Sequence, residues 1–174
     1  MHNVEFKSEL RDPAIAREIC RALGAARIGT LDQTDTYYRV PGGKLKKRET
    51  VGEAPEVIFY ERALRADAKL SHFTIYTLPQ AEARFGRDPL PVWVVVRKRR
   101  ELFMHDRTRV HLDAVDGLGT FFELESLVGT DHTIEDAHRD VAELRRAFAP
   151  VLGEPIDCGY ADLLAADAEG GRPR

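Results

Sequence analysis

The chain has few cysteines. Cys20 and Cys158 are its only two in 174 residues, so at most one disulfide can form. A chain of this length buries roughly 70% of its unfolded surface and needs no covalent staple. Long apolar runs are also missing. The longest, residues 92–96, is far short of the ~20 residues that span a bilayer, so no membrane partner is predicted. No apolar leader follows Met1, which predicts a reducing, cytoplasmic setting with free thiols. Neither sign of charge dominates: 26 basic against 29 acidic side chains leave a net −3. That excludes a generic nucleic-acid coat or an acidic-tail protein, and no nucleic-acid partner is predicted. Gly42-Gly43 lacks the spacing of a phosphate-binding P-loop. Cys158 has no metal-ligand spacing and no evident base beside it, which argues against cysteine nucleophilic chemistry.

Charge itself is abundant. Charged residues make up 32% of the chain, above the ~25% of an average domain. Their placement follows a period of two, the signature of β-strands. Strands are predicted over residues 4–10, 27–40, 44–49, 56–63, 70–78, 91–100, 102–115 and 119–127. Pro41-Gly42-Gly43 and Asp116-Gly117 supply turns. Asp12 and Pro13 are a helix start, and Ile15, Ile19, Cys20 and Leu23 share that helix's face up to Gly24. Residues 79–87 read as a short helix or loop. Residues 133–152 are helical, with Val141, Leu144, Phe148 and Leu152 in phase, and residues 160–165 form a short terminal helix. Residues 1–167 are expected to form one α+β domain on an antiparallel sheet, and 168–174 a frayed tail.

Side chains two apart share a strand face. Asn3, Glu5, Lys7 and Glu9 face one way, and Val4, Phe6 and Leu10 the other. Lys44, Lys46 and Arg48 line up. So do Lys98 and Arg100, with Arg97 and Arg99 on the opposite face. Arg109, His111 and Asp113 form another row, and Glu123 and Glu125 a further one. This pattern fits two architectures. One is an open antiparallel sheet with one solvated face. The other is a closed barrel with a polar lumen and an apolar exterior under helices. In the barrel, opposed carboxylates call for a hard cation, Mg²⁺ or Mn²⁺. Adjacent cations would suit a polyphosphate.

Eight segments occur in order: Asn3-Val-Glu5-Phe-Lys7, Tyr37-Tyr38-Arg39, Lys44-Leu-Lys46-Lys-Arg48, Tyr60-Glu-Arg62, Val95-Val-Arg97-Lys98-Arg-Arg100, His111-Leu-Asp113-Ala-Val-Asp-Gly117-Leu-Gly119, Phe122-Glu123-Leu-Glu125 and Gly159-Tyr160-Ala-Asp-Leu163-Leu164. Together they resemble the CYTH superfamily of triphosphate tunnel metalloenzymes, which includes class IV adenylyl cyclases and thiamine and inorganic triphosphatases. The resemblance implies an eight-stranded antiparallel β-barrel with flanking helices, whose tunnel binds a small anionic, phosphate-bearing substrate and Mg²⁺ or Mn²⁺. The family motif E-x-E-x-K falls here on Asn3, Glu5 and Lys7, so its first glutamate is an amide. The resemblance then implies one firmly held ion on Glu5, Glu123 and Glu125, with Asp113 nearby. Lys7, Arg62, Lys98 and Arg100 would be the catalytic phosphate ligands. Lys46, Arg48 and Arg109 would bind substrate phosphate further along, and Arg39 would stand at the mouth. His111 could orient a carboxylate or help activate water. The implied activity is hydrolysis of a triphosphate or related organic phosphate. The alternatives are cyclisation of ATP to cyclic AMP and pyrophosphate, or non-catalytic binding of a phosphate ligand. The end of the 91–96 strand is a candidate homodimer surface, unless a helix covers it.

Overall fold

The computed structural model describes residues 2–40, 43–61 and 69–168. In chain order the elements are β1 (His2–Leu10), α1 (Pro13–Ala22), β2 (Ala26–Val40), β3 (Gly43–Thr50), β4 (Glu56–Glu61), β5 (Lys69–Tyr76) and α2 (Leu78–Phe85). There follow β6 (Val92–His105), β7 (Thr108–Val115), β8 (Gly119–Val128), α3 (Ile134–Phe148), β9 (Leu152–Pro155) and α4 (Tyr160–Ala168). All strand pairs are antiparallel, in the order β5-β4-β3-β2-β6-β7-β8-β1. The sheet curls until its edges meet: β5 also pairs with β1, through His2↔His72 to Glu5↔Lys69. The far half of that same β1 edge takes β9 instead, at Ser8 and Leu10. Eight strands therefore surround a tunnel, closed over four residue pairs, and the open-sheet alternative is set aside.

Local chemistry explains most boundaries. The Asp12 carboxylate accepts from the backbone N–H of Ala14 and Ile15 at 2.9 and 3.0 Å, capping α1, and Pro13 follows it. The β7–β8 turn uses Gly117 and Gly119 at φ 78° and 108°, where a side chain would be strained.

Two expectations need correction. No break occurs at Glu101: β6 continues to His105, and the hairpin turns on Asp106-Arg107, with Asp106 at φ 49°. Asp tolerates the left-handed region, so this turn needed neither glycine nor proline. The helix predicted to reach Leu152 stops at Phe148. Pro150 lies in a short 3₁₀ turn over Ala149–Val151, and Leu152 starts the ninth strand.

The strands are two-faced, and their apolar side is outermost. Val4, Phe6, Leu10, Val110, Leu112, Phe122 and Leu124 pack beneath α1 and α3, whose Ala16, Cys20, Ala137, Val141, Leu144 and Phe148 complete the main core. α2 covers Leu45 and Val57 with Ala81. On the inward faces, by contrast, α4 brings Tyr160 and Ala161 onto Tyr37, Val96, Val115 and Phe121, with Trp93 and Val94 partly buried beside them, while Val92 is exposed. No helix among the described residues is long and apolar enough to cross a membrane. The rings of Phe122 and Phe148 meet at 4.6 Å, and both side chains are fully buried. Phe148→Ala is expected to lower unfolding free energy by about 3–5 kcal/mol, the usual cost of such a cavity. Urea denaturation checks this: a loss near zero would mean that α3 does not hold the wall.

Candidate functional site in the tunnel

The inward faces of the strands carry the charge. Asn3, Glu5 and Lys7 come from β1, Asp35 and Tyr37 from β2, and Lys46 and Arg48 from β3. Lys98 and Arg100 come from β6, His111 and Asp113 from β7, and Glu123 and Glu125 from β8. Register fixes who faces whom. Glu5 is opposite Glu125, Lys7 opposite Glu123, His111 opposite Glu123, Arg100 opposite Asp113, and Asp35 opposite Arg48. A cavity of about 290 Å³ is lined by Asn3, Glu5, Lys7, Lys46, Arg48, Lys98, Arg100, Arg109, Glu123 and Glu125, with Tyr37, Ile58, Tyr60, Phe73, Ile75 and Tyr160 as its less polar wall.

Two carboxylates act as hubs. Asp35, 1% exposed, is gripped by the Arg48 guanidinium through two bonds of 2.7 Å, and by Lys98 at 3.1 Å and Lys46 at 3.3 Å. Glu123 takes Lys7 at 2.9 Å and Arg100 at 2.6 Å, and His111 Nδ1 lies 3.4 Å away. Asp113 is committed elsewhere. Both its oxygens are bound by Arg100, at 2.7 and 2.6 Å, and the Tyr160 hydroxyl donates to one at 2.8 Å. Tyr160 also lies under the Lys7 ammonium, 4.4 Å from ring centre to nitrogen.

These contacts set the protonation states. Burial would raise the Asp35 carboxyl, but Lys46, Lys98 and Arg48 outweigh it and hold it well below the usual carboxylate range. Burial opposes Glu123 in the same way, and Lys7, Arg100 and His111 keep it ionised. The lysines around Asp35 move the other way. Burial first and Arg48 second bring Lys98 down to about 7, despite Asp35. The same causes bring Lys46 down to about 8. Burial pushes the Tyr37 and Tyr160 hydroxyls well above 10, so both stay neutral donors.

The sequence-predicted residues distribute as follows. Lys7, Lys46, Arg48, Lys98 and Arg100 meet in the tunnel together with Glu5, Glu123 and Glu125. Arg109 stands at its rim, 39% exposed and 3.6 Å from Glu125. Arg39 does not line the cavity; it is exposed, with its guanidinium 5.2 Å from the Trp93 ring centre. Asp113, though on the inward face of β7, does not line the cavity: it is buried beneath Arg100 and Tyr160, which do. Arg62 lies outside the described residues. Asp35 escaped the sequence reading, although Gln33, Asp35 and Tyr37 alternate as an inward row within β2. The donor set fits a divalent cation. One ligand atom each from His111, Glu123 and Glu125 lie within 4.8 Å of one another, and the buried Asn3 amide oxygen in the same cavity has no hydrogen-bond partner.

Comparison with known proteins agrees with this architecture. The CYTH domain family model matches residues 1–150. Among solved structures, a Pyrococcus horikoshii protein superimposes with a TM-score of 0.74 at 20% identity, covering 92% of this chain and 98% of that one. A candidate adenylate cyclase from Vibrio parahaemolyticus gives 0.71 at 20% identity, covering 95% and 99%. A candidate adenylyl cyclase from Hippeastrum, described as having a dominant triphosphatase activity, gives 0.63 at 13% identity, covering 98% and 97%. At such identities these likenesses concern the fold. No curated protein matches the chain. The family model spans the tunnel strands and α3, and the chain belongs to the CYTH domain family.

Proposed function

We propose that the chain is a metal-dependent phosphohydrolase acting on a triphosphate or related organic phosphate held in the tunnel. One observation carries this reading: buried cations and the carboxylates of Glu5, Glu123 and Glu125 face the same cavity. Lys7 and Arg100 adjoin the acidic corner at Glu123, and Lys98, Lys46 and Arg48 continue the cationic lining around Asp35. A string of phosphoryl groups needs its charge neutralised along its whole length, and this lining supplies that. Arginine forks grip phosphate oxygens in two places at once; Asp113 aims the fork of Arg100, and Asp35 that of Arg48. Arg109 would meet the substrate at the rim. Glu5, Glu123 and Glu125 would hold Mg²⁺ or Mn²⁺. The ion would neutralise non-bridging phosphate oxygens and make the phosphorus a better electrophile. The lysines and arginines would then orient the chain for attack by water, so catalysis is chiefly positioning and charge stabilisation. A reducing cytoplasm suits the two free cysteines.

The cavity volume, about 290 Å³, is at the small end of the roughly 300–1,000 Å³ of ligand pockets. That favours a compact polyphosphate and ranks hydrolysis first. The triphosphatase activity attributed to the Hippeastrum relative supports the same order. Cyclisation of ATP is the second reading, and the wall of Ile58, Tyr60, Phe73 and Ile75 favours it, since a nucleobase could lie there.

The test is to incubate the full chain with Mg²⁺ or Mn²⁺ and, separately, inorganic triphosphate, thiamine triphosphate and ATP. Chromatography would follow orthophosphate, pyrophosphate and cyclic AMP. Orthophosphate release, abolished by EDTA and by the Glu123→Gln/Glu125→Gln pair, is the expected outcome. Arg100→Ala should cost about 100-fold or more in kcat, the scale of one lost charge-stabilising donor. Cyclic AMP with equimolar pyrophosphate would establish the cyclase instead, and metal-dependent binding without turnover a binding module.

Lys98 generates a further expectation. Burial and Arg48 bring its ammonium down to about 7, so at pH 8 it is mostly neutral. An anion beside it favours the charged form. Triphosphate binding at pH 8 should therefore draw in a proton, and affinity should weaken as pH rises from 7 to 9. Calorimetry in buffers of different ionisation heat measures the uptake. Equal uptake by Lys98→Met would assign it to another group.

A further inference from the structure

His111 has no role in that reading, yet it is among the most buried ionisable groups of the tunnel. It stands on β7 directly across from Glu123 on β8 and is 2% exposed. Glu123 also takes Lys7 at 2.9 Å and Arg100 at 2.6 Å, so two other cations already face it. An imidazole in its neutral form offers a nitrogen lone pair. One ligand atom from each of His111, Glu123 and Glu125 fall within 4.8 Å of one another. Neighbouring ligands about 2.1 Å from a shared ion lie about 3–3.6 Å apart, so side-chain adjustment of about an ångström closes the set. A second observation points the same way. Asn3, 4% exposed, turns its side chain into this cavity two residues along β1 from Glu5, and its Oδ1 has no hydrogen-bond partner. An amide oxygen buried without a donor is what an incoming cation satisfies.

We propose that His111 is a direct ligand of the tunnel's divalent ion, together with Glu123 and Glu125, and that this mixed nitrogen–oxygen site selects Mn²⁺ over Mg²⁺. The inference rests on the reading that this end of the cavity holds a divalent ion, and it adds the imidazole. The selectivity follows from donor chemistry. Mg²⁺ is a hard ion that demands oxygen ligands and keeps its waters. Mn²⁺ stands above it in acceptance of imidazole, so replacing an oxygen donor by nitrogen disfavours Mg²⁺. The amide at position 3 supplies an oxygen to the same ion without a further negative charge.

The test uses the full chain freed of metal by a chelator, with Mn²⁺ as the probe. Pulsed electron paramagnetic resonance of the bound Mn²⁺ is expected to show the nitrogen coupling of a coordinated imidazole. That coupling should disappear in His111→Gln and persist in His138→Gln, which alters an exposed histidine of α3. Competition titration should find the Mn²⁺-over-Mg²⁺ preference reduced about tenfold or more in His111→Gln. The wild-type spectrum decides the matter even if the variant folds poorly. Bound Mn²⁺ without nitrogen coupling would overturn the His111 assignment and leave the carboxylate site of the proposed function standing. Failure of the wild-type chain to bind Mn²⁺ at all would overturn both.

Discussion

A barrel can keep charged side chains out of water only if they neutralise one another. Removing an ion from solvent is costly, and one left unpaired in the interior would undo a domain of this size. The tunnel meets that constraint with opposed rows: Lys7, Lys46, Arg48, Lys98 and Arg100 against Glu5, Asp35, Asp113, Glu123 and Glu125. The two hubs divide the work. Asp35 holds the cations of β3 and β6 together, and Glu123 joins β1 to β6. Because each hub collects side chains from strands far apart in sequence, the network also fixes where every donor points. A site held this way is organised before any ligand arrives.

The same constraint shapes the rest of the molecule. Strands whose inner face is ionic must bury their outer face against something else. The helices do this: α1 and α3 cover β1, β7 and β8, and α2 covers β3 and β4. The main hydrophobic core thus lies outside the tunnel rather than at the centre. α4 is the exception, since it delivers Tyr160 to the tunnel itself, where the hydroxyl secures Asp113 and the ring lies beneath Lys7. Its seat is strengthened by Lys44, bonded to Asp162 at 2.6 Å.

Much of this is legible in the sequence because strand parity is unforgiving. Lys98 and Arg100 fall inside and Arg97 and Arg99 outside, a division visible in the alternation of that segment. The acidic pair Glu123 and Glu125 and the row Arg109, His111, Asp113 follow from the same rule. Parity alone does not say whether a polar face is wetted or enclosed, and the ordered motifs supplied that. Other features left no pattern to read. Asp35 sits among threonines and a glutamine, as a solvated strand would, and only its distant partners on β3 and β6 make it special. Asp106-Arg107 turns a hairpin without glycine or proline. Asp113 shares a face with the acidic cluster, yet the reach of Arg100 and Tyr160 decides its contacts. In residues 149–155 the apolar spacing mimics a helix, and Pro150 was the one sign that it ends.

β1 is bordered on both sides: by β8 along one edge, and by β5 and then β9 along the other. It precedes every other described strand in the chain, yet its main partner begins at Gly119 and its last at Leu152. Until β8 is made its amphipathic ribbon has only the four residue pairs with β5, and contacts of such long sequence separation make for slow closure. The nascent protein can therefore complete its ring only once β8 and β9 have been made, a delay during which chaperone protection would have the most to offer.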